Sequence, residues 1–251
     1  MRRPVGPPAH DGHREHDAVL VVVPARDEAA RLGVCLASVD VATRRVRRRL
    51  VRVEVVVVAD SCLDRTAAVA RASGVHVVEE ALGSVGAARA RGVREGLDRL
   101  GSHPARTWVA TTDADSEVPS SWLRDQLALA HAGADLAAGT VALDPASTDP
   151  ETLARWSQEY ARGGAFRAPG VHGHVHGANL GLAADAYLAV GGFTPAHEHE
   201  DLLLVGALLA SGARAAWPTT PVRTSARTRG RTPGGFSQVM AGLTLPVPRP
   251  A

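Results

Sequence analysis

The chain has 251 residues, 45% of them apolar and 22% charged, enough to bury one substantial core without division into separate domains. Its net charge of +2 conceals a bias: all 28 basic residues are arginine, there is no lysine or isoleucine, and Asn179 is the one asparagine. Without an ammonium side chain, a Walker A phosphate loop, a Schiff-base enzyme and a Ser-x-x-Lys hydrolase are all excluded.

The two cysteines, Cys35 and Cys62, lie in apolar segments and are too few for a disulfide scaffold or a zinc finger, so they read as reduced thiols. No run approaches the roughly 20 apolar residues that span a bilayer. The basic start is not followed by an apolar stretch of signal-peptide length, which makes a cytoplasmic location the expectation.

Residues 1–17, MRRPVGPPAHDGHREHD, have the composition of a disordered tail. From residue 18 to about 240 the chain reads as one domain, and the Pro-rich residues 241–251 read as a second, extended tail. Within the domain, β-branched runs at 18–23, 51–59, 75–79 and 107–112 each hand over to Ala-, Leu- and Arg-rich segments of helical period. This alternation predicts an α/β fold with a largely parallel sheet flanked by helices.

In such sheets ligands bind beyond the carboxyl ends of the strands. PARDE (24–28) follows the first run, DSCLDRT (60–66) the second and DADSEVP (113–119) the fourth. An acid ending one strand commonly caps the next helix. Three neighbouring strands doing so places a costly cluster of carboxylates at one edge, unless a cation or a donor-rich ligand is held there. Asp113 and Asp115, one alanine apart, can approach a common point, where hard oxygens suit Mg²⁺ or Mn²⁺.

Three other groups stand out. His172, His174 and His176 alternate in VHGHVHG; on a strand they would share one face, which keeps a zinc-dependent hydrolase open as an alternative. Arg223, Arg227, Arg229 and Arg231 share a Gly- and Pro-bearing loop whose guanidinium forks suit a diphosphate. The arginines between Arg44 and Arg52 offer a binding-module alternative, against nucleic acid or an anionic membrane face. With aromatic residues at 4% and none interleaved in that cluster, no nucleic-acid partner is expected, and peripheral contact with the inner membrane face is the remaining form of this alternative.

The segments VVVPARDEAARLGVCLASV, VVVVADSCLDRTAAVA, GSVGAARARG, TTDADSEVPSSWL, GANLGLAADAYLAVGGF and HEDLLLVGALLASGAR, in this order, resemble the successive motifs of the family 2 glycosyltransferases. The resemblance implies a single GT-A (Rossmann-like) domain, a nucleotide-sugar donor, Mg²⁺ or Mn²⁺, and hexosyl transfer to an acceptor hydroxyl with inversion; the acceptor, whether small molecule, lipid or glycan, is not defined. By position it places Pro24, Ala25, Glu28, Asp60, Arg89 and Asp113 around the donor nucleotide, and Asp113 and Asp115 on the metal. It places Asn179 and Glu200 in the sugar and acceptor region and Asp201 as the base that takes the acceptor's proton; Arg227 and Arg231 are assigned to the diphosphate by their guanidinium forks and not by the resemblance. The chain departs from the pattern at Ala59, Cys62 and Ala90, where the family commonly has an acid, a serine and an asparagine. A nucleotidyltransferase would need a Gly-rich loop and a lysine where PARDEAARLG stands, and G-x-G-x-x-G, the dinucleotide fingerprint, is absent.

Overall fold

The computed structural model describes residues 15–48, 51–163, 171–196 and 198–227. The four β-branched runs form β1 (Ala18–Ala25), β2 (Arg52–Asp60), β3 (His76–Glu80) and β4 (Thr107–Thr111). Valine, stiff at χ1, packs well on a pleated surface. Every residue of β1 is buried, as expected of a strand covered on both faces. Its neighbours are parallel, in the order β3-β2-β1-β4, joined through α1 (Leu32–Arg47), α2 (Thr66–Ala72) and α3 (Val85–Leu100).

Beyond β4 the pattern changes. β5 (Ser116–Glu117), α4 (Trp122–His131), β6 (Leu136–Ala138), β7 (Val141–Leu143) and α5 (Pro150–Gly163) come first. β8 (Leu180–Ala183), α6 (Ala184–Ala189), α7 (Glu200–Ala210), β9 (Ala215–Ala216) and β10 (Val222–Thr224) follow. The central sheet has seven strands in the order β3-β2-β1-β4-β8-β6-β9, with β8 antiparallel to β4 and β6. A small sheet, β5-β10-β7, stands apart from it.

Alternate residues of β1 serve two cores. Val19, Val21 and Val23 pack with α1 and α4, while Leu20 and Val22 pack on the other face with residues of α3, α6 and α7. Helix α3 approaches the sheet closely because Gly92 and Gly96 face it: a Cβ at Gly92 would stand 2.5 Å from Val22 Cγ1, and one at Gly96 would overlap the Leu20 side chain. Ser84 caps α3, accepting from Ala87 N–H at 3.3 Å and donating to the Ala196 carbonyl at 2.7 Å.

The body begins earlier than the composition suggests. His16 is buried, edge-on to Trp108 and stacked on His131, and Asp17 exchanges backbone bonds with Arg106 and Arg52. Residues 1–14 of the expected N-terminal tail and all of 241–251 lie outside the described residues. Among those described, no helix is long and apolar enough to cross a membrane.

Candidate functional site

The acids expected at the strand ends do lie there. Asp60 is the last residue of β2, Glu28 follows β1, and Asp113 and Asp115 occupy the turn between β4 and β5. That turn is fixed from below: the Asp113 carbonyl accepts from Ser116 N–H at 3.0 Å and from the thiol of buried Cys35 on α1 at 3.3 Å. Three non-glycine residues among those described have left-handed backbone, Asp27 (φ 51°), Ser61 (φ 55°) and His199 (φ 59°), and each flanks one of these acids or the head of α7. Such strain persists only where surrounding contacts over-determine it, and it gathers at functional sites.

Two guanidinium groups hold the acids of the turn. Arg227 bonds Glu28 Oε1 with one nitrogen and lies 3.2 Å from Asp115 Oδ2 with another. Burial pushes the Asp115 carboxyl up to about 6; Arg227 opposes the rise, while Asp113 and Glu28 add to it. Arg89, only 3% exposed, donates from Nη2 to Asp113 Oδ1 at 2.5 Å and from Nη1 to Glu200 Oε1. Arg89 therefore stands as a strut joining the Asp113 turn to the head of α7. Burial raises the Glu200 carboxyl and Arg89 works against it. A cavity of about 350 Å³ lies against Asp115 on the α1 side, lined also by Arg31, Val34, Cys35 and Glu117.

Asp201 is next to Glu200 in the first turn of α7, where the helix dipole favours an acid. Its Oδ2 accepts from Gly177 N–H and its Oδ1 from Leu202 N–H, both at 2.8 Å. Gly177 must be small: a Cβ there would overlap the Arg89 guanidinium. The sequence contained no signal for this backbone donor, which depends on a loop meeting a helix 24 residues away.

On the other side, Asp60 Oδ1 accepts from Leu82 N–H (2.7 Å), Gly83 N–H (2.9 Å) and Ser61 Oγ (2.9 Å). These bonds tie the β3–α3 loop to the strand end and leave the second oxygen outside them. Pro24 and Ala25 end β1, and the Ala25 carbonyl accepts from the Cys62 thiol at 3.4 Å. Asp27, Cys62 and Asp64 present ligand-type atoms within 4.8 Å of one another. Loop bonds occupy them: Asp27 Oδ1 accepts from Leu63 N–H at 2.7 Å, Asp64 Oδ2 from Ala29 N–H at 3.0 Å, and Glu28 N–H donates to Thr66 Oγ1 at 2.7 Å. This clasp joins the β1 and β2 loops, and the sequence reading missed it.

One alternative is corrected. The histidine stretch is irregular loop, and its ring nitrogens are turned to separate partners: His172 to the Pro218 carbonyl (3.2 Å), His174 to the Tyr160 carbonyl (2.8 Å) and His176 to the Tyr160 hydroxyl (3.1 Å). His174 stacks flat on Tyr160, with centroids 3.6 Å apart. The three do not form a ligand cluster among the described residues, which removes the support for a zinc hydrolase. Burial brings His176 down to about 4, with the Asp201 charge opposing. Asn179 is an internal brace: its carbonyl accepts from Trp122 Nε1 at 2.9 Å, and its amide donates to Thr140 O (2.8 Å) and Thr220 O (3.2 Å). Those bonds brace the loop from inside the fold. Arg229 and Arg231 lie outside the described residues.

Several solved structures share this architecture. A mannosyltransferase from Pyrobaculum calidifontis, in complex with GDP-Man and Mn²⁺, matches with a TM-score of 0.63 at 19% identity, over 88% of this chain and 61% of that one. TarS 1-349 of S. aureus matches at 0.59 and 15% identity, over 84% and 61%. Glucosyl-3-phosphoglycerate synthase from Mycobacterium tuberculosis, in complex with Mn²⁺ and UDP-Glc, matches at 0.57 and 18% identity, over 90% and 75%. The chain thus spans about three-fifths of the length of the first two. No curated protein sequence matches it closely enough to count as a relative. Residues 20–189, more than half of the chain and the part that carries β1 to α6, match the family described as Glycosyl transferase family 2, and the chain belongs to that family.

Proposed function

We propose that the protein is a metal-dependent glycosyltransferase that moves a hexosyl group, with inversion, from a nucleoside-diphosphate sugar to an acceptor hydroxyl. One observation carries the reading: buried Arg89 joins the Asp113 turn to the helix that presents Asp201, so a donor-type and a base-type carboxylate are tied to one guanidinium strut. The residues fit a hard divalent cation, because Asp113 and Asp115 offer carboxylate oxygens that already stand against positive groups. Mg²⁺ or Mn²⁺ there would neutralise charge on the departing diphosphate. Two of the similar structures hold Mn²⁺ with a sugar nucleotide, GDP-Man in one and UDP-Glc in the other.

Each residue then has a stated task. Asp60 accepts a base N–H with the oxygen outside its loop bonds, and Pro24, Ala25 and Glu28 border the nucleotide. Arg227 reaches the diphosphate. Asp201, fixed by the Gly177 and Leu202 N–H groups, takes the acceptor's proton as that oxygen attacks the anomeric carbon. Glu200, turned inward to Arg89, positions this end of α7 and does not meet the acceptor directly.

Thermal unfolding with UDP, GDP or dTDP, with and without Mn²⁺, tests the reading. One nucleotide should stabilise the protein only when metal is present, by about 2.7 kcal/mol at 100 times its dissociation constant. Stabilisation by zinc alone, with no nucleotide effect, would sink it.

A further inference from the structure

Arg89 and Arg227 both stand against carboxylates suited to a metal, but they differ in their freedom to leave. The Arg89 side chain is 4% exposed, anchored to Asp113 and Glu200 and roofed by Gly177. The Arg227 side chain is 29% exposed and makes its two ion pairs with Glu28 and Asp115, whose own side chains are 6% and 9% exposed.

We propose that Arg227 is the resident counter-cation of this site: it holds Asp115 in the ligand-free protein, yields that carboxylate to the divalent cation, and then grips the nucleotide's diphosphate. The inference rests on the function proposed above. Two buried carboxylates with a third beside them are costly to keep ionised unless a positive group pairs with them. Arg227 supplies that pairing from β10's trailing segment, its N–H accepted by Ser225 Oγ at 3.3 Å. A guanidinium and a divalent ion on one carboxylate would repel each other, so the arrival of metal displaces the arginine. A diphosphate reverses the sign of the field, because its oxygens fit the guanidinium fork that has just been freed. Arg227 therefore weakens metal binding on its own and strengthens nucleotide binding once metal is present, which couples the two ligands.

The two effects of opposite sign make the test. Mn²⁺ alone is titrated into the nucleotide-free full chain and followed by electron paramagnetic resonance, for the wild type, Arg227→Ala, Arg227→Gln and Arg223→Ala, the last removing a charge from the exposed face of β10. Arg227→Ala and Arg227→Gln should tighten Mn²⁺ binding about threefold to tenfold, and Arg223→Ala should stay within about a factor of two. With Mn²⁺ saturating, the same Arg227 variants should bind UDP or GDP about tenfold more weakly by calorimetry. Unchanged or weaker Mn²⁺ binding in both Arg227 variants overturns the proposal, as does equal tightening by Arg223→Ala, which would mean diffuse charge. Tighter Mn²⁺ binding with unaltered nucleotide affinity overturns the hand-over to diphosphate. If no nucleotide binds the metal-loaded wild type, the proposed function fails, and the Mn²⁺ titration still decides whether Arg227 competes for Asp115.

Discussion

Asp115 and Asp201 are both carboxylates at element ends, and the proposed function gives them different tasks. Asp115 is buried against Arg227, whereas Asp201 is held by two backbone N–H groups at a helix head. Removing them should fail differently. Asp115→Ala should lose metal-dependent nucleotide affinity together with turnover; Asp201→Asn should keep donor affinity while transfer falls by roughly 10² to 10⁴. Measuring both constants on both variants separates the roles, and wild-type transfer by Asp201→Asn would end the base assignment. His176 gives a pH prediction. Burial lowers it from 6.5 to about 4, so between those values the unfolded chain binds the proton and the folded one does not. Stability is therefore full above pH 6.5 and falls as the pH drops toward 4, by up to about 3 kcal/mol. Urea unfolding at pH 7 and pH 4.5 should show a smaller acid loss in His176→Gln than in the wild type; equal losses would remove His176 as the cause.

At the scale of elements, α3 connects packing to chemistry. Its sheet-facing side is glycine at 92 and 96, which brings Arg89, three residues before Gly92, deep enough to reach both Asp113 and Glu200. Gly92→Ala should destabilise by about 1–3 kcal/mol through overpacking against Val22 and Val58. Gly206 in α7 is the counter-case, because a Cβ there meets nothing within 4 Å. Gly206→Ala should stabilise by about 0.5–1 kcal/mol through helix propensity and reduced unfolded-state entropy. Denaturant midpoints for the two variants should move in opposite directions, and a shared direction would refute the packing account of α3.

At the scale of the whole molecule, two sheets of unequal strength meet at the site. Strand β1 is eight residues long and wholly buried, while the small sheet is built from strands of two and three residues, with Ser116 and Thr224 hydroxyls bonded across it at 3.0 Å. Local opening should therefore begin in the small sheet. Hydrogen exchange followed by mass spectrometry should show residues 222–224 exchanging faster than residues 19–23, and slowing when Mn²⁺ and a nucleoside diphosphate are added together. Slowing spread evenly over both sheets would indicate global stabilisation without ordering of the Arg227 segment.

The sequence alone determined the parallel half of the fold and the acids at its edge. Valine runs of strand length, alternating with helical segments, leave little choice of partner or direction, and local pattern carries that information. The same is true of the acid pair heading α7, since Glu200 and Asp201 precede a continuous apolar run. Only the tertiary structure decided what those acids touch. Arg89 pairs with residues 24 and 111 positions away, and Arg227 with one 199 positions away, separations at which no local periodicity constrains a contact. The surroundings of the histidines and of Asn179 were decided at the same level. Spacing on an assumed strand would put three imidazoles on one face, but the stretch is irregular loop, so each ring met a different carbonyl or hydroxyl. Asn179 is exceptional by composition, and its side chain bonds Trp122, Thr140 and Thr220, three partners brought together only when the chain has folded.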